Sequence, residues 1–279
     1  MRVHDFFGVG VEHADHDVAV GSGEDAFLDG DDLIADGEPL KVFVIADGMG
    51  GHSAGDVASK IVVTEVFSEL KFHSDLFFDH DESLPFVMEN ALRSANDCMR
   101  EAMRENEESR GMGSTVIATV LAGNRMFWSS IGDSPLYHFR GRKMEQINED
   151  HSMAPVIASK LASGKITEAE AREMDRNQLT SVVMGGAIPK VDCPEDPLIV
   201  SPADVLILGS DGLQYISDAE IQDILRDHQQ GLAQDIAEAA LYLASDAGRF
   251  VNCHDLVVDG DLAGAVRGAA VRDGLYKDA

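Results

Sequence analysis

The sequence predicts a layered α+β protein. Its strand-like apolar runs come in pairs and its helical patterns also come in pairs, which differs from the strict strand–helix alternation of parallel α/β folds. Residues 110–138 form a strand-rich block that follows two helical regions. With 279 residues, of which 44% are hydrophobic, the chain can bury a sizeable core, and its length permits one large domain or two small ones.

The first part of the chain combines turn signals with two long helices. Asp29–Asp32 and Ala35–Pro39 are rich in turn-forming residues, so both are expected to separate strands. Apolar residues recur at helical spacing from Ser53 to about Lys71 and again from about Leu84 to Asn106. These two segments are therefore predicted to be amphipathic helices.

The second part contains helices with recognisable starts. Thr167–Glu170 and Ser217–Glu220 match the capping-box pattern, in which Ser or Thr stands three residues before Glu. They predict a short helix after the first box and a helix reaching about His228 after the second. A last long helix is expected over about 232–247, and a final strand over 256–258.

An acidic residue followed by glycines marks the clearest candidate for a binding site. The hexapeptide Asp47-Gly48-Met49-Gly50-Gly51-His52 follows the apolar run Val42–Ala46 and precedes a predicted helix. Such a turn holds a carboxylate at the end of a buried strand, and its glycines let the backbone approach a ligand and adopt positive φ. Taken alone, Asp-Gly at a strand end also fits an ordinary turn.

Further carboxylates stand at the edges of other strand-like runs. They are Glu24, Asp25, Asp133 and Asp211, beside the apolar runs at 26–28, 127–131 and 205–208. Oxygen ligands gathered at strand ends suit hard cations such as Mg²⁺ or Mn²⁺. The pattern therefore predicts a site for divalent metal ions.

Taken in order, these segments resemble the metal-dependent Ser/Thr protein phosphatases of the type 2C (PPM) family, in its bacterial form. The matching stretches are Glu24-Asp25, Asp47–His52, Gly113-Ser114-Thr115, Gly132-Asp133-Ser134, Glu149–Ser152, Leu179-Thr180-Ser181 with Gly185-Gly186, and Ser210-Asp211-Gly212. They extend over nearly the whole chain, from about Val9 to Asp259. The resemblance implies a four-layer α-β-β-α sandwich, in which two antiparallel sheets are flanked by helix pairs. It also implies one catalytic domain over 1–260 with a flap at about 151–186, followed by a tail over 261–279.

The resemblance assigns roles to particular residues. The implied metal-site residues are Asp25, Asp47, Gly48, Asp133 and Asp211. Asp47 would bridge two ions, with the Gly48 carbonyl as a second ligand, and Asp211 would complete the shell of one ion. Asp133 and Asp211 match an additional metal position near the flap, while Asp25 and its neighbour Glu24 match residues that mostly hold metal-bound waters.

The implied reaction is hydrolysis of phosphoserine and phosphothreonine in proteins by a metal-activated water, with two or more Mg²⁺ or Mn²⁺ ions. Asp47 and His52 are the candidate catalytic residues. His52 could protonate the leaving alkoxide, because imidazole titrates near neutral pH. Its alternative is a loop histidine that only caps the helix at Ser53.

Two positions depart from the family pattern. Where the family usually places a phosphate-binding arginine, about five residues before Asp25, this chain has Val20; His13, His16 or Arg2 are the possible substitutes. An ungapped count puts Val251-Asn252 where the family has Asp-Asn, so a metal ligand is lost unless Asp255 replaces it through a shifted register. These departures motivate a second hypothesis, a catalytically weakened pseudophosphatase that serves as a binding or scaffold protein. A third is a metal phosphohydrolase that acts on a small molecule.

Other patterns carry less weight. Ser114 lacks a clear base partner for a nucleophilic role. Asp150-His151-Ser152 looks like a serine-hydrolase fragment, although triad members need not be neighbours in sequence. Cys253-His254 lacks the paired spacing of a soft-metal site.

Composition narrows the possible partners and the compartment. The net charge of −28 makes nucleic-acid binding unfavourable, because phosphate backbones bind basic faces. It fits a solvated acidic surface, and alternatively an acidic field that attracts basic segments around a phosphosite. The three cysteines are widely spaced, as in proteins of a reducing cytosol. No apolar run approaches the ~20 residues of a membrane span. We expect a cytoplasmic protein with a phosphorylated protein as substrate and a Ser/Thr kinase as cognate partner.

Overall fold

Two β-sheets face each other and carry helices on their outer surfaces. The computed structural model describes residues 6–8, 18–20, 25–35, 38–50, 52–79, 84–201, 204–215, 217–228 and 257–258. The strands are β1 Phe6–Gly8, β2 Val18–Val20, β3 Asp25–Ala35, β4 Glu38–Met49, β5 Gly113–Ser114, β6 Val116–Ala122, β7 Arg125–Ile131, β8 Leu136–Arg140, β9 Lys143–Gln146, β10 Leu198–Ile199, β11 Val205–Leu208 and β12 Val257–Val258. The helices are α1 His52–Phe72, α2 Leu76–Asp79, α3 Leu84–Glu105, α4 Met153–Ala162, α5 Glu168–Glu173 and α6 Asp218–His228.

The larger sheet has the strand order β10-β7-β6-β4-β3-β2, with β5 added beside the end of β4, and its pairs are antiparallel. The smaller sheet has the order β12-β1-β11-β8-β9. Its pairs are antiparallel except β1 with β11, which run parallel. The predicted pair of antiparallel sheets is therefore confirmed, with this one parallel contact inside it.

Three apolar clusters bind the layers together. Helices α1 and α3 cover one face of the larger sheet, where Val62, Leu92 and Met99 join a buried cluster with residues of β4, β6 and β7. Between the sheets, Phe43 and Ile117 share a cluster with residues of β8 and β11. On the far side of the smaller sheet, Ile221 of α6 belongs to a cluster with residues of β8, β9 and β11. This succession is the predicted α-β-β-α order.

The helix predictions from periodicity and capping are confirmed. The two long helices end within two residues of their expected bounds, and Thr167 forms a full capping box at the start of α5. Ser217 and Glu220 form the same reciprocal bonds at the start of α6. The helix expected over 232–247 lies outside the described residues. In the part of the chain that the structure covers, no helix is long and apolar enough to cross a membrane.

The turn predicted at Asp29–Asp32 is wrong. These residues lie inside β3, which continues to Ala35, and the pairing with β4 shifts register between Gly30 and Leu33. A bulge of this kind admits extra residues into a strand without ending it. Turn-forming composition therefore marked an irregularity within a long hairpin. Of the turn predicted at Ala35–Pro39, Ala35 ends β3 and Glu38 begins β4, and residues 36 and 37 lie outside the described residues.

Candidate functional site

The candidate site lies where loops from both sheets meet. Strand β4 of the larger sheet ends at Met49, and residues 132–135 cross from β7 in the larger sheet to β8 in the smaller one. The loop after β11 lies against this crossover, since the Gly209 N–H donates to the Pro135 carbonyl at 3.1 Å. The segments that carry Asp47, Asp133 and Asp211 are therefore anchored by strands on both sides of the sandwich.

Asp47 is partly buried at the end of β4, and its main chain is held on both sides. Its N–H donates to Thr115 Oγ1 at 3.2 Å, and its carbonyl accepts from the Thr115 N–H at 2.9 Å and from Ser114 Oγ at 3.0 Å. The register of β3 with β4 makes Asp25 the direct cross-strand neighbour of Asp47. Two carboxylate-bearing residues that are separated along the sequence thus become adjacent at one end of the sheet.

The glycine turn after Asp47 requires at least one of its glycines. Gly50 has φ +123°, and a Cβ there would stand 3.0 Å from Met112 Cα. Both the positive φ and the close main-chain approach disfavour any larger residue. Gly48 is buried and pairs with Ser114 of β5, which fixes the backbone that carries its carbonyl.

Asp133 is the most perturbed carboxyl group of the site. Burial, followed by the negative charges of Asp211 and Asp150, raises the pKa of Asp133 to about 6. The charges of Asp211 and Asp150 disfavour the ionised form of Asp133, so a cation beside Asp133 would be favourable. Carboxylate oxygens are also the donor set that Mg²⁺ and Mn²⁺ prefer. The residues present at this position therefore fit a divalent ion.

The carboxylates are near each other without forming a closed ligand cage. Among the described residues, no group of three or more His, Cys, Asp or Glu side chains is already gathered closely enough to hold an ion. Glu24 and Asp255 belong to the residues that the structure does not describe.

Asp150 is a site residue that motif reasoning did not assign. Its charge contributes to the raised pKa of Asp133, and its Oδ1 accepts from the Ser152 N–H at 2.7 Å. In the sequence it stood out as part of the matching stretch Glu149–Ser152 and of the fragment Asp150-His151-Ser152, and neither gave it a metal role. Its link to Asp133 arises from the tertiary arrangement, because 17 positions and two strands, β8 and β9, separate the two residues.

The neighbouring His151 and Ser152 have structural contacts that differ from a hydrolase triad. Ser152 Oγ caps α4 by accepting from the Ala154 N–H at 3.1 Å. His151 is buried. Its ring Nδ1 accepts from the Gly132 N–H at 3.3 Å, and its main-chain N–H donates to the Gly132 carbonyl at 2.9 Å. Burial, assisted by Lys190, lowers the pKa of His151 and favours the neutral ring that this acceptor role needs. His151 therefore supports the turn that precedes Asp133.

The predicted flap region has a fixed base and an exposed outer part. Val183 is buried, and its main chain forms a two-way bridge with Ser114 at 2.8 and 3.0 Å. Asn96 of α3 accepts from the Gly185 N–H and donates to the Gly186 carbonyl, both at 2.8 Å. In contrast, α5 has no buried residue and α4 has only Ile157. Residues 179–186 thus belong to the framework of the site rather than to an independent loop.

Two of the remaining sequence-predicted positions are only partly described. His52 is the first residue of α1, and its side chain lies outside the description, as does that of Asp25. Val20 stands opposite Ala26 in the pairing of β2 with β3. The other departure, Val251, is not among the described residues, and neither are Arg2, His13 and His16.

Comparison with known proteins agrees with the fold. The family model described as Protein phosphatase 2C matches residues 22–246. Protein phosphatase PhpP of Streptococcus pneumoniae is 30% identical over 186 residues, which is 66% of this chain and 72% of that protein. Serine/threonine phosphatase stp of Listeria monocytogenes is 27% identical over 236 residues, or 84% and 90% of the two chains.

Solved structures show the same relationship. The serine/threonine phosphatase PstP/Ppp of Mycobacterium tuberculosis has a TM-score of 0.60 and 26% identity, covering 88% of this chain and 91% of that one. The catalytic domain of PstP in complex with 2 manganese ions has a TM-score of 0.58 and 26% identity, covering 85% and 88%. The chain belongs to the protein phosphatase 2C family.

Proposed function

We propose that this member of the family, a metal-dependent protein serine/threonine phosphatase, binds its metal ions through Asp25, Asp47, Gly48, Asp133 and Asp211. The single observation that supports this most strongly is the raised pKa of Asp133, caused by burial and by the negative charges of Asp211 and Asp150. Burying a carboxyl group among other carboxylates is costly unless a cation offsets the charge. The cross-strand placement of Asp25 beside Asp47 supports a second cluster of oxygen ligands.

Both Mn²⁺ and Mg²⁺ suit this ligand set, and we propose that the active protein binds two ions. The chemistry that divalent ions supply at such a site is activation of water and neutralisation of phosphoryl charge. Asp150, whose charge acts on Asp133, would either bind an ion held by Asp133 and Asp211 or orient those two carboxylates. The manganese-bound PstP structure is a precedent among the relatives for two ions.

The protein's own groups would then position and protonate the substrate. His52, at the start of α1 and four residues after Gly48, would donate a proton to the leaving serine or threonine oxygen. The main-chain bonds from Thr115 and Ser114 keep Asp47 in place while phosphoryl charge develops. The exposed helices α4 and α5 form the part of the flap that would cover a bound phosphopeptide.

The domain bounds, the compartment and the substrates are also proposals. We propose one catalytic domain over 1–260, with a flap whose outer part is 153–178 and a tail over 261–279. The proposed compartment is the cytoplasm, and the proposed substrates are proteins phosphorylated by a cognate Ser/Thr kinase. Detection of the protein in the cytosolic fraction after cell fractionation tests the compartment, and recovery in the membrane pellet contradicts it.

Phosphate release from a phosphothreonine peptide, measured against Mn²⁺ and Mg²⁺ concentration, tests the activity. We expect turnover that depends on the added ion and is abolished by a chelator. Asp211→Asn should reduce turnover by about 10²-fold or more at fixed metal concentration, as expected when a metal ligand is lost. Asp218→Asn is the matched control, because this acidic residue lies on the same loop–helix segment but contacts Tyr137 instead of the site. Binding of the phosphopeptide without turnover under all metal conditions would favour the pseudophosphatase instead.

A further inference from the structure

Thr115 forms hydrogen bonds to both of the segments that carry the proposed metal ligands Asp47 and Asp133. It is buried at the junction of β5 and β6, where its side chain cannot reach substrate. We propose that Thr115 is a positioning residue that sets the separation and orientation of Asp47 and Asp133, and thereby the metal affinity of the site. This inference rests on the proposed function, because it takes those two carboxylates as ligands.

On one side, Thr115 binds both polar main-chain groups of Asp47. Thr115 Oγ1 accepts from the Asp47 N–H at 3.2 Å, and the Thr115 N–H donates to the Asp47 carbonyl at 2.9 Å. These two bonds hold the peptide units on both sides of the Asp47 Cα, so they restrict φ and ψ of Asp47. The direction in which Asp47 projects from the end of β4 therefore depends on Thr115.

On the other side, Thr115 Oγ1 and Ser134 Oγ are 2.7 Å apart, with both residues buried. A hydroxyl group has one proton and two lone pairs. Oγ1 accepts from the Asp47 N–H through one lone pair, which leaves its proton and its second lone pair for Ser134, so either hydroxyl can donate in this contact. Ser134 is fixed in turn by Asn148, whose Nδ2 donates to the Ser134 carbonyl at 2.9 Å. One hydroxyl thus joins Asp47 to the residue that follows Asp133.

The methyl arm of Thr115 adds a steric contact. Gly132 has φ +111°, and a Cβ at Gly132 would stand 2.6 Å from both Cβ and Cγ2 of Thr115. The turn that leads into Asp133 therefore lies directly on the threonine side chain. Both branches of the side chain are used, one for hydrogen bonding and one for packing.

A buried threonine at the start of a strand could instead have a purely structural role. Thr119 on β6 provides the comparison, because it is also buried and its Oγ1 lies 3.5 Å from the Phe43 carbonyl. Loss of the Thr115 hydroxyl should cost more folding stability than loss of the Thr119 hydroxyl, because it breaks the bonds to Asp47 and Ser134. Only loss of the Thr115 hydroxyl should alter the two proposed ligands, and groups that orient metal ligands affect metal affinity about 10–100-fold when removed.

The test is calorimetric titration of the metal-free protein with Mn²⁺ in the wild type and in Thr115→Val, Thr119→Val and Thr115→Ser. Valine keeps the size of threonine and removes the hydroxyl. We expect the Kd to rise about tenfold or more in Thr115→Val, and by less than about twofold in Thr119→Val. Thr115→Ser keeps the hydroxyl and should recover most of the affinity, although it loses the methyl contact with Gly132.

Thermal unfolding of the same metal-free variants separates affinity from folding. Unchanged Mn²⁺ affinity in a folded Thr115→Val, or an equal loss in Thr119→Val, overturns the inference. If Thr115→Val does not fold, Ser134→Ala replaces it, since this change breaks the link to Ser134 from the other side; unchanged affinity there also overturns the inference. Asp47→Asn distinguishes failure of the proposed metal site from failure of the proposed role of Thr115. If that variant binds Mn²⁺ like the wild type, the proposed site itself is wrong; if it loses binding while Thr115→Val does not, only the role of Thr115 is wrong.

Discussion

At the scale of single residues, the site concentrates negative charge that the fold alone does not neutralise. Asp133 illustrates this, because burial and two neighbouring carboxylates raise its pKa to about 6. In the unfolded chain the same group would titrate near 3.8. The difference represents a folding free energy that the ionised Asp133 carboxyl costs the protein near neutral pH.

Replacing this carboxyl should therefore stabilise the metal-free protein. A group whose pKa is raised in the folded state contributes stability below its unfolded pKa and loses that contribution as the pH rises through its folded pKa. In Asp133→Asn with chelator present, we expect unfolding free energy at pH 7 to rise by roughly 1 kcal/mol relative to wild type, with the gain disappearing towards pH 4. Urea unfolding at the two pH values measures this.

The same variant should bind Mn²⁺ more weakly than the wild type. Stabilisation without metal, combined with weaker metal binding, is the signature of a ligand. A variant that is destabilised equally at pH 4 and pH 7 would show that Asp133 has a packing role instead.

At the scale of elements, the sequence was informative wherever local signals decide the structure. Apolar periodicity predicted α1 and α3, and the capping boxes at Thr167 and Ser217 predicted α5 and α6. It was misleading at Asp29–Asp32, where pairing with β4 overrides turn composition. The parallel contact of β1 with β11 joins segments about 200 residues apart, and no local pattern specifies it.

For the site, too, local sequence signals were informative and tertiary contacts could not be predicted. Motifs predicted Asp47, Asp133 and Asp211 because each carboxylate follows an apolar strand. They did not reveal Asp150, whose proximity to Asp133 depends on how the loop after β9 returns to the crossover. The anchoring of 179–186 by Asn96 also could not be predicted, because no local sequence pattern identifies the partner of a polar residue on the inner face of a helix.

Asn96 should be a determinant of the flap base. Its buried side chain bonds to the main chain of Met184, Gly185 and Gly186 from α3. We expect Asn96→Ala to lower the unfolding free energy by about 2 kcal/mol, because truncation leaves buried main-chain groups without partners. The exposed Asn177 offers a control, and Asn177→Ala should cost less than about 0.5 kcal/mol.

Limited proteolysis of the two variants separates a local effect from a global one. Faster cleavage near 174–186 in Asn96→Ala, under conditions where the rest of the chain is intact, is the expected result. Equal cleavage rates in Asn96→Ala, Asn177→Ala and wild type would contradict the anchoring role.

A second prediction at this scale concerns the end of the smaller sheet remote from the site. Burial opposes ionisation of Asp204, but hydrogen bonds from Arg140, the Ser201 N–H and His138 outweigh it and lower its pKa to about 2. A depressed carboxyl pKa contributes stability above the unfolded value of 3.8, and this contribution is lost as the pH falls through about 2.

Asp204→Asn should accordingly destabilise the protein by about 2 kcal/mol at pH 7, and by progressively less as the pH falls below about 4. Unfolding monitored by circular dichroism across this range gives the profile. Because Asp204 is far along β8 and β11 from the loops of the site, Mn²⁺ affinity should be unchanged. A pH-independent loss would mean that packing, rather than charge, accounts for the contribution of Asp204.

At the scale of the whole molecule, the proposed ligands come from both sheets of the sandwich. Asp47 ends a strand of the larger sheet, Asp211 follows a strand of the smaller one, and Asp133 lies on the crossover between them. Metal binding should therefore oppose separation of the sheets. A ligand at a hundred times its Kd stabilises the folded state by about 2.7 kcal/mol, which should appear as a higher Tm.

Screening must be separated from specific binding, because the chain carries a net charge of −28. Any salt reduces the self-repulsion of so acidic a molecule. We expect millimolar Mn²⁺ to raise the Tm well beyond NaCl of equal ionic strength in the wild type, and no more than NaCl in Asp47→Asn. Equal shifts in the two proteins would assign the effect to screening.

The most direct test of the central claim is a crystal structure of the Mn²⁺-soaked protein with anomalous scattering measured at the manganese edge. Our account predicts an anomalous peak in contact with the carboxylates of both Asp47 and Asp211, with metal–oxygen distances near 2.2 Å. A second peak is expected beside Asp133 and Asp211. If the Asp47 and Asp211 carboxylates lie more than about 8 Å apart, far beyond twice a metal–oxygen distance, or if no peak touches them, the proposed metal site is wrong.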